Sequence, residues 1–328
     1  MSSKRVGIDI GNEAVHMAIW NGSAVTGVIT EPLPQGLVRD DRVLSFDALG
    51  DFFKEVRKKH RVRVKDVSLV LHGEDCYCRR FTMPVMTVDQ LKINLPYEFR
   101  DFVREEKDKY NYDHAVVGIL TDENGNPSEL DLMAACVLRE TVDEYAAMFH
   151  RAGFRLRVAV PETMAYVNLL RRFPGDTHSH CIMDLGSAAF QMFMFQQDRY
   201  EADRQLDLGC IDIDRVIADE MHVDIHIAHA YRESDTKAQT LPRCLELYNA
   251  MAIEVLKAVN FYDYNHRDDQ LEHIHCCGGG SRIEPLMQAL QNTLPIPLEG
   301  IHELLPDLAP ELRQDVVFAC AALGAAVQ

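Results

Sequence analysis

Short apolar runs separated by turn residues open the chain. The predicted strands are Arg5–Ile10, Ala14–Trp20 and 25–30. Asn21-Gly22-Ser23, between the second and third runs, is typical of a hairpin turn. The pattern then changes to helical spacing in the segment 46–59. Its apolar positions are Leu49, Phe52, Phe53 and Val56. A buried strand at 67–71 follows, so the opening predicts a mixed sheet with a crossover helix.

The same order of elements returns in the second half of the chain. Three strands are predicted at 181–185, 189–195 and 200–206. The helices predicted after them are 211–221, 241–266, 282–294 and 315–327. Because the second series repeats the order of the first, we interpret the chain as an α/β duplication that forms two similar lobes.

The first strand of each series ends in the same short word, Asp9-Ile10-Gly11 and then Asp184-Leu185-Gly186. A glycine allows a tight turn and leaves its N–H free for a phosphate oxygen. An aspartate at a strand end can hold a water on Mg²⁺ or orient an attacking water. One such word is typical of an ordinary hairpin turn. Two copies in equivalent places predict a cleft between the lobes for a phosphorylated nucleotide.

A third glycine turn, Gly278-Gly279-Gly280-Ser281, lies between an apolar strand and a predicted helix. At such a turn the backbone can approach a flat adenosine closely, with a helix N-terminus nearby. A plain strand-to-helix turn is the alternative interpretation. Together with the two Asp-x-Gly words, the glycine turn favours a nucleotide site.

The pattern divides the chain into four segments. These are 1–64, the first part of lobe one; 65–150, an inserted α+β module; 151–177, the return to lobe one; and 178–328, the second lobe. Pro174-Gly175-Asp176-Thr177 is predicted to be the linker. The last helix, 315–327, is expected to return to the first lobe.

Composition excludes several classes of partner. The 328 residues carry a formal net charge of −17, and 47% of them are hydrophobic. This balance argues against nucleic acid and against a polybasic grip on anionic membranes. The N-terminal segment lacks the apolar core of a signal peptide, and no apolar run approaches the length of a membrane helix. We therefore expect a cytoplasmic protein that meets a membrane only through a partner.

Cysteine and histidine give little sign of a metal site. The nine cysteines lack paired Cys-x-x-Cys spacing, which favours buried free thiols in a reducing compartment. His222, His226 and His229 are spaced to share one helix face. A metal site there needs a further ligand, so an exposed polar face is the preferred interpretation.

At this point the motifs resemble those of the actin, sugar-kinase and heat-shock chaperone ATPase superfamily. Within it, the chain is most similar to the PilM family of type IV pilus assembly proteins, a relative of the cell-division protein FtsA. The segments that carry this resemblance are Phe81-Thr82-Met83-Pro84-Val85-Met86 with Leu91 and Tyr97-Glu98-Phe99, Cys136-Val137-Leu138-Arg139-Glu140-Thr141-Val142 with Tyr145 and Ala152-Gly153-Phe154, and Asn260-Phe261-Tyr262. The resemblance covers nearly the whole chain.

The resemblance implies a two-lobed, actin-like (ribonuclease H-like) duplicated fold that binds ATP and Mg²⁺. Asp9, Asp184 and Glu162 match catalytic positions, and the two aspartates match positions that hold Mg²⁺ through water. The matched nucleotide-binding positions are Gly11 and Asn12 in the first phosphate loop, Gly186 and Ser187 in the second, Arg232 at the ribose, and Gly278, Gly279, Gly280 and Ser281 at the adenosine.

Several departures weaken this site. The first turn carries Glu13, whose charge beside the expected phosphates would repel them by about 1 kcal/mol in water at 4 Å. Ala188 and Ala189 replace hydroxyl donors in the second turn, and His229 replaces a carboxylate that accepts from the ribose hydroxyls. The sequence therefore leaves open whether ATP is bound or the site is lost, and any ATPase activity is expected to be weak at most.

The resemblance also implies a scaffold function. Such a protein binds the N-terminal tail of a PilN-like membrane partner in a groove between the first lobe and the module, at the inner face of the cell membrane, and can form homo-oligomers. Because type II secretion and competence systems use related proteins, the sequence leaves open which of these machines the protein serves.

An FtsA-like division protein is one alternative, disfavoured because residues 316–327 lack basic residues. A small-molecule kinase is another, disfavoured because no sugar-site motif is found.

Overall fold

The computed structural model describes residues 4–39, 41–73, 75–173 and 178–327. The predicted linker at 174–177 lies outside the described residues.

The first lobe opens as the apolar pattern predicts. Its elements are β1 (Arg5–Ile10), β2 (Ala14–Trp20), β3 (Val25–Pro32), a short hairpin of β4 (Val38–Arg39) and β5 (Arg42–Val43), α1 (Phe46–Lys59) and β6 (Asp66–Leu71). Helix α1 begins where the Ser45 hydroxyl accepts a hydrogen bond from the Ala48 N–H at 3.3 Å. It buries Leu49, Phe53 and Val56 against the sheet. The cap and the apolar face together explain why the predicted and observed bounds of α1 agree.

The inserted module is a three-stranded sheet with one helix. It contains β7 (Cys76–Pro84), α2 (Val88–Glu98), β8 (Tyr110–Thr121) and β9 (Pro127–Leu138), with strand order β7-β9-β8. A capping box between Thr87 and Gln90 starts α2. Helix α2 ends at Glu98, two residues after Pro96. After Glu98 the backbone forms consecutive turns, closed by hydrogen bonds between residues close in sequence, and the Phe99 side chain is buried in the module core.

The chain then returns to the first lobe through α3 (Arg139–Arg151), β10 (Arg155–Pro161) and α4 (Glu162–Arg172). The first sheet has the order β10-β6-β1-β2-β3, in which β6 pairs in parallel with both β1 and β10. Helix α3 packs on α1 in the same core. The predicted module, 65–150, included β6 and α3, whereas both elements lie with the first lobe in the structure.

The second lobe repeats the first sheet. Its elements are β11 (Ser179–Leu185), β12 (Phe190–Gln196), β13 (Arg199–Leu206), α5 (Cys210–Met221), α6 (Ile225–Ser234), α7 (Thr236–Gln239), α8 (Pro242–Asn265), β14 (His273–Cys277), α9 (Glu284–Thr293), β15 (Leu298–Gly300), α10 (Arg313–Val316) and α11 (Cys320–Ala326). The strand order β13-β12-β11-β14-β15 matches β3-β2-β1-β6-β10, with the same parallel and antiparallel pairs. The predicted duplication and two-lobed α/β fold are confirmed.

The end of the chain differs from its prediction. One helix was expected at 315–327, but the structure has α10 and α11 with a break between them. The break coincides with a contact to the glycine turn, because the Gly278 N–H donates to the carbonyl of Val317 at 2.9 Å. The Val317 carbonyl is thus bonded to the glycine turn, and a new helix starts at Cys320.

Helices α4 and α11 lie between the two sheets and form the hinge. Their residues share one apolar cluster with Trp20 of the first sheet and Phe193 of the second. Two glycines permit this close packing. A Cβ at Gly7 would overlap the carbonyl oxygen of Ala322 in α11, and a Cβ at Gly324 would overlap backbone atoms of Ala165 in α4. The last helix therefore returns to the first lobe.

A second connection joins the module to the second lobe. Arg80 on β7 donates to both carboxylate oxygens of Asp131, at 2.9 and 2.6 Å. The same guanidinium donates to the carbonyl of Tyr200 at 2.8 Å and to the carboxylate of Glu201 at 2.6 Å. We refer to this contact as the Arg80 bridge.

None of the helices in the described part of the chain combines the length and hydropathy that crossing a bilayer requires. Eight of the nine cysteines are buried and Cys78 is half-buried, all as free thiols, as the sequence predicted.

Candidate functional site

The first aspartate belongs to a row of three interacting charged side chains, Asp9, His72 and Glu162, at the floor of the cleft. Because β1 and β6 run in parallel, their carboxyl ends meet, and Asp9 faces His72. The Nε2 atom of His72 is 2.7 Å from Asp9 Oδ1, and its Nδ1 atom is 3.4 Å from Glu162 Oε2. Glu162 is the first residue of α4. A histidine between two carboxylates favours the imidazolium form, which donates from both nitrogens.

The pairing of His72 with the two carboxylates shifts the pKa values of His72 and Asp9. Burial alone lowers the pKa of His72, but the charges of Glu162 and Asp9 outweigh it and raise that pKa well above its usual value. Burial alone raises the pKa of Asp9, and the His72 charge and hydrogen bond reverse this, so the net pKa of Asp9 is lowered. Asp9 is therefore ionised at neutral pH.

The second aspartate has a different environment. At the end of β11, Asp184 accepts a hydrogen bond from the Tyr166 hydroxyl at 2.9 Å. Burial, followed by the charge of Glu162, raises the pKa of Asp184 to about 7. Asp9 is linked through His72 to Glu162, and Asp184 contacts Tyr166 one turn further along the same helix, so both aspartates lie beside α4. The catalytic and Mg²⁺-binding roles of Asp9, Asp184 and Glu162 remain predictions.

The first turn is closed on itself. The Gly11 N–H donates to the carbonyl of Ala14 at 3.0 Å, so the prediction that this N–H is free for a phosphate is wrong in this conformation. The Asn12 amide is also occupied. It donates to Asp41 Oδ1 at 2.6 Å and accepts from the Asp41 N–H at 2.9 Å. Hydrogen bonds within the turn and to Asp41 therefore leave little of the first turn available to a ligand.

The second turn contacts the first lobe directly. The Ser187 hydroxyl donates to Glu13 Oε1 at 2.5 Å across the cleft. The carbonyls of Gly186 and Ser187 accept from the N–H groups of Cys210 and Ile211, which places the turn at the start of α5. The predicted ligand residues Gly186 and Ser187 thus face the cleft, with a carboxylate of the other lobe already bound to the hydroxyl.

Arg232 lies beside this contact in a buried charge cluster. Its Nε donates to Asp214 Oδ1 at 2.6 Å, and these side chains are 2% and 0% exposed. Its Nη2 is 3.7 Å from Glu13 Oε2 and 2.9 Å from His229 Nδ1. The predicted ribose role of Arg232 remains a prediction. In the structure its guanidinium pairs with Asp214, with Glu13 and, through Nη1 at 3.0 Å, with Glu233.

The histidine prediction needs a correction at one position. His222 and His226 are exposed as expected, but His229 is half-buried and its Nδ1 lies 3.2 Å from Asp214 Oδ2. Ligand atoms of Glu13, Asp214 and His229 approach within 4.8 Å of one another, which is close enough for a metal ion. The guanidinium of Arg232 already supplies positive charge at this point, so we assign the cluster to charge pairing.

The glycine turn packs on the second Asp-x-Gly word. Gly278 has φ +79°, and a Cβ there would overlap the carboxylate of Asp184. A Cβ at Gly280 would lie 2.7 Å from the Leu185 side chain, and the Ser281 hydroxyl closes the turn on the Gly278 carbonyl at 2.7 Å. Contacts within the chain thus account for Gly278 and Gly280. An adenosine role for 278–281 stays a prediction.

Aromatic packing covers the outer side of this turn. Phe318, from the break between α10 and α11, lies next to Gly279. Its ring stacks on His16 with centroids 6.0 Å apart, and the Arg282 guanidinium lies 5.5 Å from the ring centroid. His16 of β2 thus takes part in this stack.

Sequence reasoning missed three residues of the cleft, namely His72, Tyr166 and Asp214. His72 could have been found, because it follows the buried strand β6 directly and parallel strands end at one edge of a sheet. Tyr166 and Asp214 lie inside helices at buried positions. No local pattern separates them from ordinary core residues.

A second candidate site is the groove between the first lobe and the module. It has a volume of about 610 Å³ and lies where the start of β8 and the end of β9 meet α3. Its lining residues are Asp108, Lys109, Leu138, Arg139, Glu140, Asp143, Glu144 and Ala147. Four carboxylates against two cations give the groove an acidic character.

Two duplicated sheets, a hinge of two helices and paired aspartates on the cleft define the actin-like ATPase fold. The chain belongs to the family of type IV pilus assembly protein PilM, whose model matches residues 7–305. The resemblance stated from the sequence is therefore confirmed.

Solved structures agree on the fold. A PilM–PilN type IV pilus biogenesis complex has a chain that superposes with a TM-score of 0.83 at 21% identity, over 99% of this chain and 98% of that one. The ethanolamine utilization protein EutJ from Carboxydothermus hydrogenoformans gives 0.61 at 12% identity, over 100% and 90%. Component A of (R)-2-hydroxyglutaryl-CoA dehydratase from Acidaminococcus fermentans gives 0.50 at 11% identity, over 99% and 97%. Among curated protein sequences, none matches the chain significantly.

Proposed function

We propose that this PilM-family protein is a cytoplasmic scaffold of pilus assembly that binds the N-terminal tail of a PilN-like membrane protein. The observation that carries the proposal is the acidic groove between α3 and the module. The PilM relative is described in complex with PilN, which supports a partner of that kind. The protein reaches the inner face of the membrane through this partner.

Charge complementarity supports the groove as the binding site. Segments on the cytoplasmic side of membrane helices carry an excess of lysine and arginine. A groove lined by Asp108, Glu140, Asp143 and Glu144 attracts such a segment and repels an acidic one. Leu138 and Ala147 add apolar surface on which an extended peptide can pack.

The experiment is a titration of the purified chain with a synthetic peptide of the PilN-like tail from the same organism. The double variant Asp143→Lys/Glu144→Lys reverses two exposed charges of the groove. We expect it to weaken binding at least about tenfold, because each reversed contact changes a rim interaction by about 1 kcal/mol or more.

The matched control makes the same charge change on the second lobe. Asp207→Lys/Glu246→Lys reverses two exposed carboxylates outside the groove. It should keep the affinity within about threefold. Equal weakening by both double variants would show that only the net charge of the protein matters. Undiminished binding by the groove variant would show that the tail binds elsewhere.

We further propose that a nucleotide sets the shape of the cleft. Asp9 offers Mg²⁺ an ionised carboxylate, and Asp184 lies beside the same helix α4 as the partner of Asp9. The two turns fit phosphate less well, since the Gly11 N–H is occupied and Glu13 lies on the second turn. Mg²⁺ would neutralise phosphate charge, and the chain's own Asp9 would hold it through water. A thermal-shift titration with Mg-ATP, using Asp9→Ala as the comparison, tests this part. The same absence of a shift in both proteins would favour a scaffold without nucleotide.

The FtsA-like alternative finds no support at the last helix. Every residue of α11 is buried in the hinge, so this helix has no free apolar face to lie on a bilayer.

A further inference from the structure

Glu13 is the point where the two lobes meet through charge. It belongs to the first turn, yet its hydrogen-bond partner is Ser187 of the second turn, 2.5 Å away. Its second oxygen lies 3.7 Å from Arg232 Nη2, and its first lies 3.8 Å from His229 Nδ1. One carboxylate of the first lobe thus faces a hydroxyl, a guanidinium and an imidazole of the second.

These three groups are already held in place before any ligand enters. Arg232 is 2% exposed and is fixed by Asp214, which is fully buried. His229 Nδ1 lies 3.2 Å from the other oxygen of Asp214. Ser187 stands at the start of α5, where its backbone carbonyl accepts from Ile211. Groups that cannot reorganise freely form a prebuilt anion subsite, which loses little entropy when an anion arrives.

We propose that this subsite, made of Ser187, His229 and Arg232, takes a phosphate group of the nucleotide rather than its ribose, and that Glu13 occupies it as an internal substitute that holds the cleft closed without nucleotide. This rests on the proposed nucleotide site. A carboxylate and a phosphate oxygen accept the same hydrogen bonds and attract the same cations, so only one of them can use the subsite at a time.

Glu13 does more than its position in the sequence predicts. From the sequence, a carboxylate beside the expected phosphates predicts simple repulsion. In the structure it is satisfied by the second lobe and contributes to closure. Nucleotide must therefore displace Glu13 before the cleft can close around it, and the affinity is lowered by the free energy of that contact.

The first measurement is the distance between the lobes in the absence of nucleotide. Spin labels at Glu55→Cys in α1 and Thr236→Cys in α7, both exposed, report it in a Cys78→Ser background, because the other native thiols are buried. We expect one narrow distance distribution for the parent protein. Glu13→Ala and Ser187→Ala should each add a longer component. Unchanged distributions in both variants would overturn the proposed closure.

The second measurement is nucleotide affinity, followed with a fluorescent ATP analogue and Mg²⁺. Glu13→Gln should bind at least about fivefold more tightly than the parent, because a like charge at 4 Å costs about 1 kcal/mol even in water. Ser187→Ala should open the cleft without this gain, because it removes a phosphate donor together with the contact. A Glu13→Gln affinity equal to that of the parent would overturn the competition.

Glu233→Gln is the matched control. It removes the same charge from the same arginine, since Glu233 pairs with Arg232 at 3.0 Å, but Glu233 lies on the second lobe and is 52% exposed. Its affinity should stay within about twofold of the parent, because an exposed ion pair is screened by water. A gain equal to that of Glu13→Gln would reduce the effect to general electrostatics and overturn the inference.

The outcomes separate this inference from the proposed function. If Glu13→Ala lengthens the distance while neither protein binds nucleotide, the closure by Glu13 stands and the nucleotide proposal fails. If nucleotide binds and no Glu13 variant changes distance or affinity, the nucleotide proposal stands and this inference fails.

Discussion

At the end of β1, Asp9 faces a histidine, and at the equivalent end of β11, Asp184 faces a tyrosine. The cation beside Asp9 lowers its pKa, whereas burial and the nearby Glu162 raise the pKa of Asp184 to about 7. The same three-residue word thus holds a fixed negative charge in one lobe and a proton that is exchangeable near neutral pH in the other.

The residues after each glycine differ in the same way. In the first turn, Asn12 is bound within its own lobe to Asp41. In the second turn, Ser187 stands in the equivalent place and is bound across the cleft to Glu13. Duplication supplied two sheets with the same strand order, and the side chains packed against them gave the two turns different surroundings.

The largest effect is expected from the strand that carries the first copy. Gly7→Ala places a methyl group against the Ala322 carbonyl of α11, and backbone on both sides leaves no room to yield. We expect a loss of about 3 kcal/mol or more in the free energy of unfolding, measured by urea denaturation. Gly27→Ala in β3 is the control. Its methyl group would only touch the end of the Ile19 side chain at 3.5 Å, so a change within about 0.5 kcal/mol is expected. Similar losses in the two variants would contradict the close approach of α11.

The next effect concerns the second copy and has the opposite sign. The pKa of Asp184 is about 7 in the folded chain, against an ordinary aspartate pKa of 3.8. The folded state therefore binds the extra proton between these values, and stability contributed by this group falls as pH rises through that window. Asp184→Asn removes the penalty, so we expect it to be more stable than the parent by about 2 kcal/mol at about pH 8. The difference should vanish towards about pH 4, and a destabilised variant at high pH would contradict the raised pKa.

A smaller effect is expected at the first copy. The lowered pKa of Asp9 contributes stability above the unfolded value of 3.8, and this is lost as pH falls through the folded pKa. The raised pKa of His72 contributes stability that is full below 6.5 and is lost as pH rises through the folded value. Asp9→Asn should therefore cost about 1–2 kcal/mol at neutral pH, where both groups are charged.

The pH profile of Asp9→Asn provides its check. The deficit should shrink in acid, as the pH falls from the ordinary aspartate pKa of 3.8 through the lowered pKa of Asp9, because the parent then also loses this charge. Thermal unfolding of both proteins across the pH range measures it. A deficit that persists unchanged in acid would show that Asp9→Asn loses packing or hydrogen-bond geometry rather than the ionic interaction with His72.

The smallest effect distinguishes the two turns. Asn12→Ala removes two hydrogen bonds within the first lobe and should cost about 0.5–1.5 kcal/mol with an unchanged distance between the lobes. Ser187→Ala should cost no more than this and should lengthen the distance, because its bond crosses the cleft. An Asn12→Ala variant that opens the cleft as far as Ser187→Ala would remove the contrast between the copies.

Most of the fold could be predicted from the sequence because it depends on local patterns. Apolar alternation identified β1 and β2, helical spacing identified α1, and the repeated Asp-x-Gly words identified the duplication. Boundaries failed where a distant contact decides them. The last helix is broken at Val317 by a hydrogen bond to the glycine turn, which no local pattern contains.

The candidate site could be predicted only in part. Asp9 and Asp184 lie beside α4, whose residues Glu162 and Tyr166 connect to them, and their roles remain predictions. The charge state of Asp184 depends on burial and Glu162, and that of Asp9 on burial and His72, none of which the Asp-x-Gly words contain. The position of Glu13 was clear from the sequence, but its partner Ser187 lies in the other lobe. From the sequence alone, the charge of Glu13 next to the motif predicts repulsion of phosphate. The fold adds a partner from the other lobe, which the sequence pattern does not show.

The Arg80 bridge extends the hinge into the module. Tyr200 packs in the same apolar cluster as α4 and α11, and the arginine on β7 ties the module to Tyr200 and Glu201 beside that cluster. A module held by these polar bonds cannot move independently of the second lobe. Any tilt of the module that keeps these bonds must carry the second lobe with it, so a force on the module would reach Asp184.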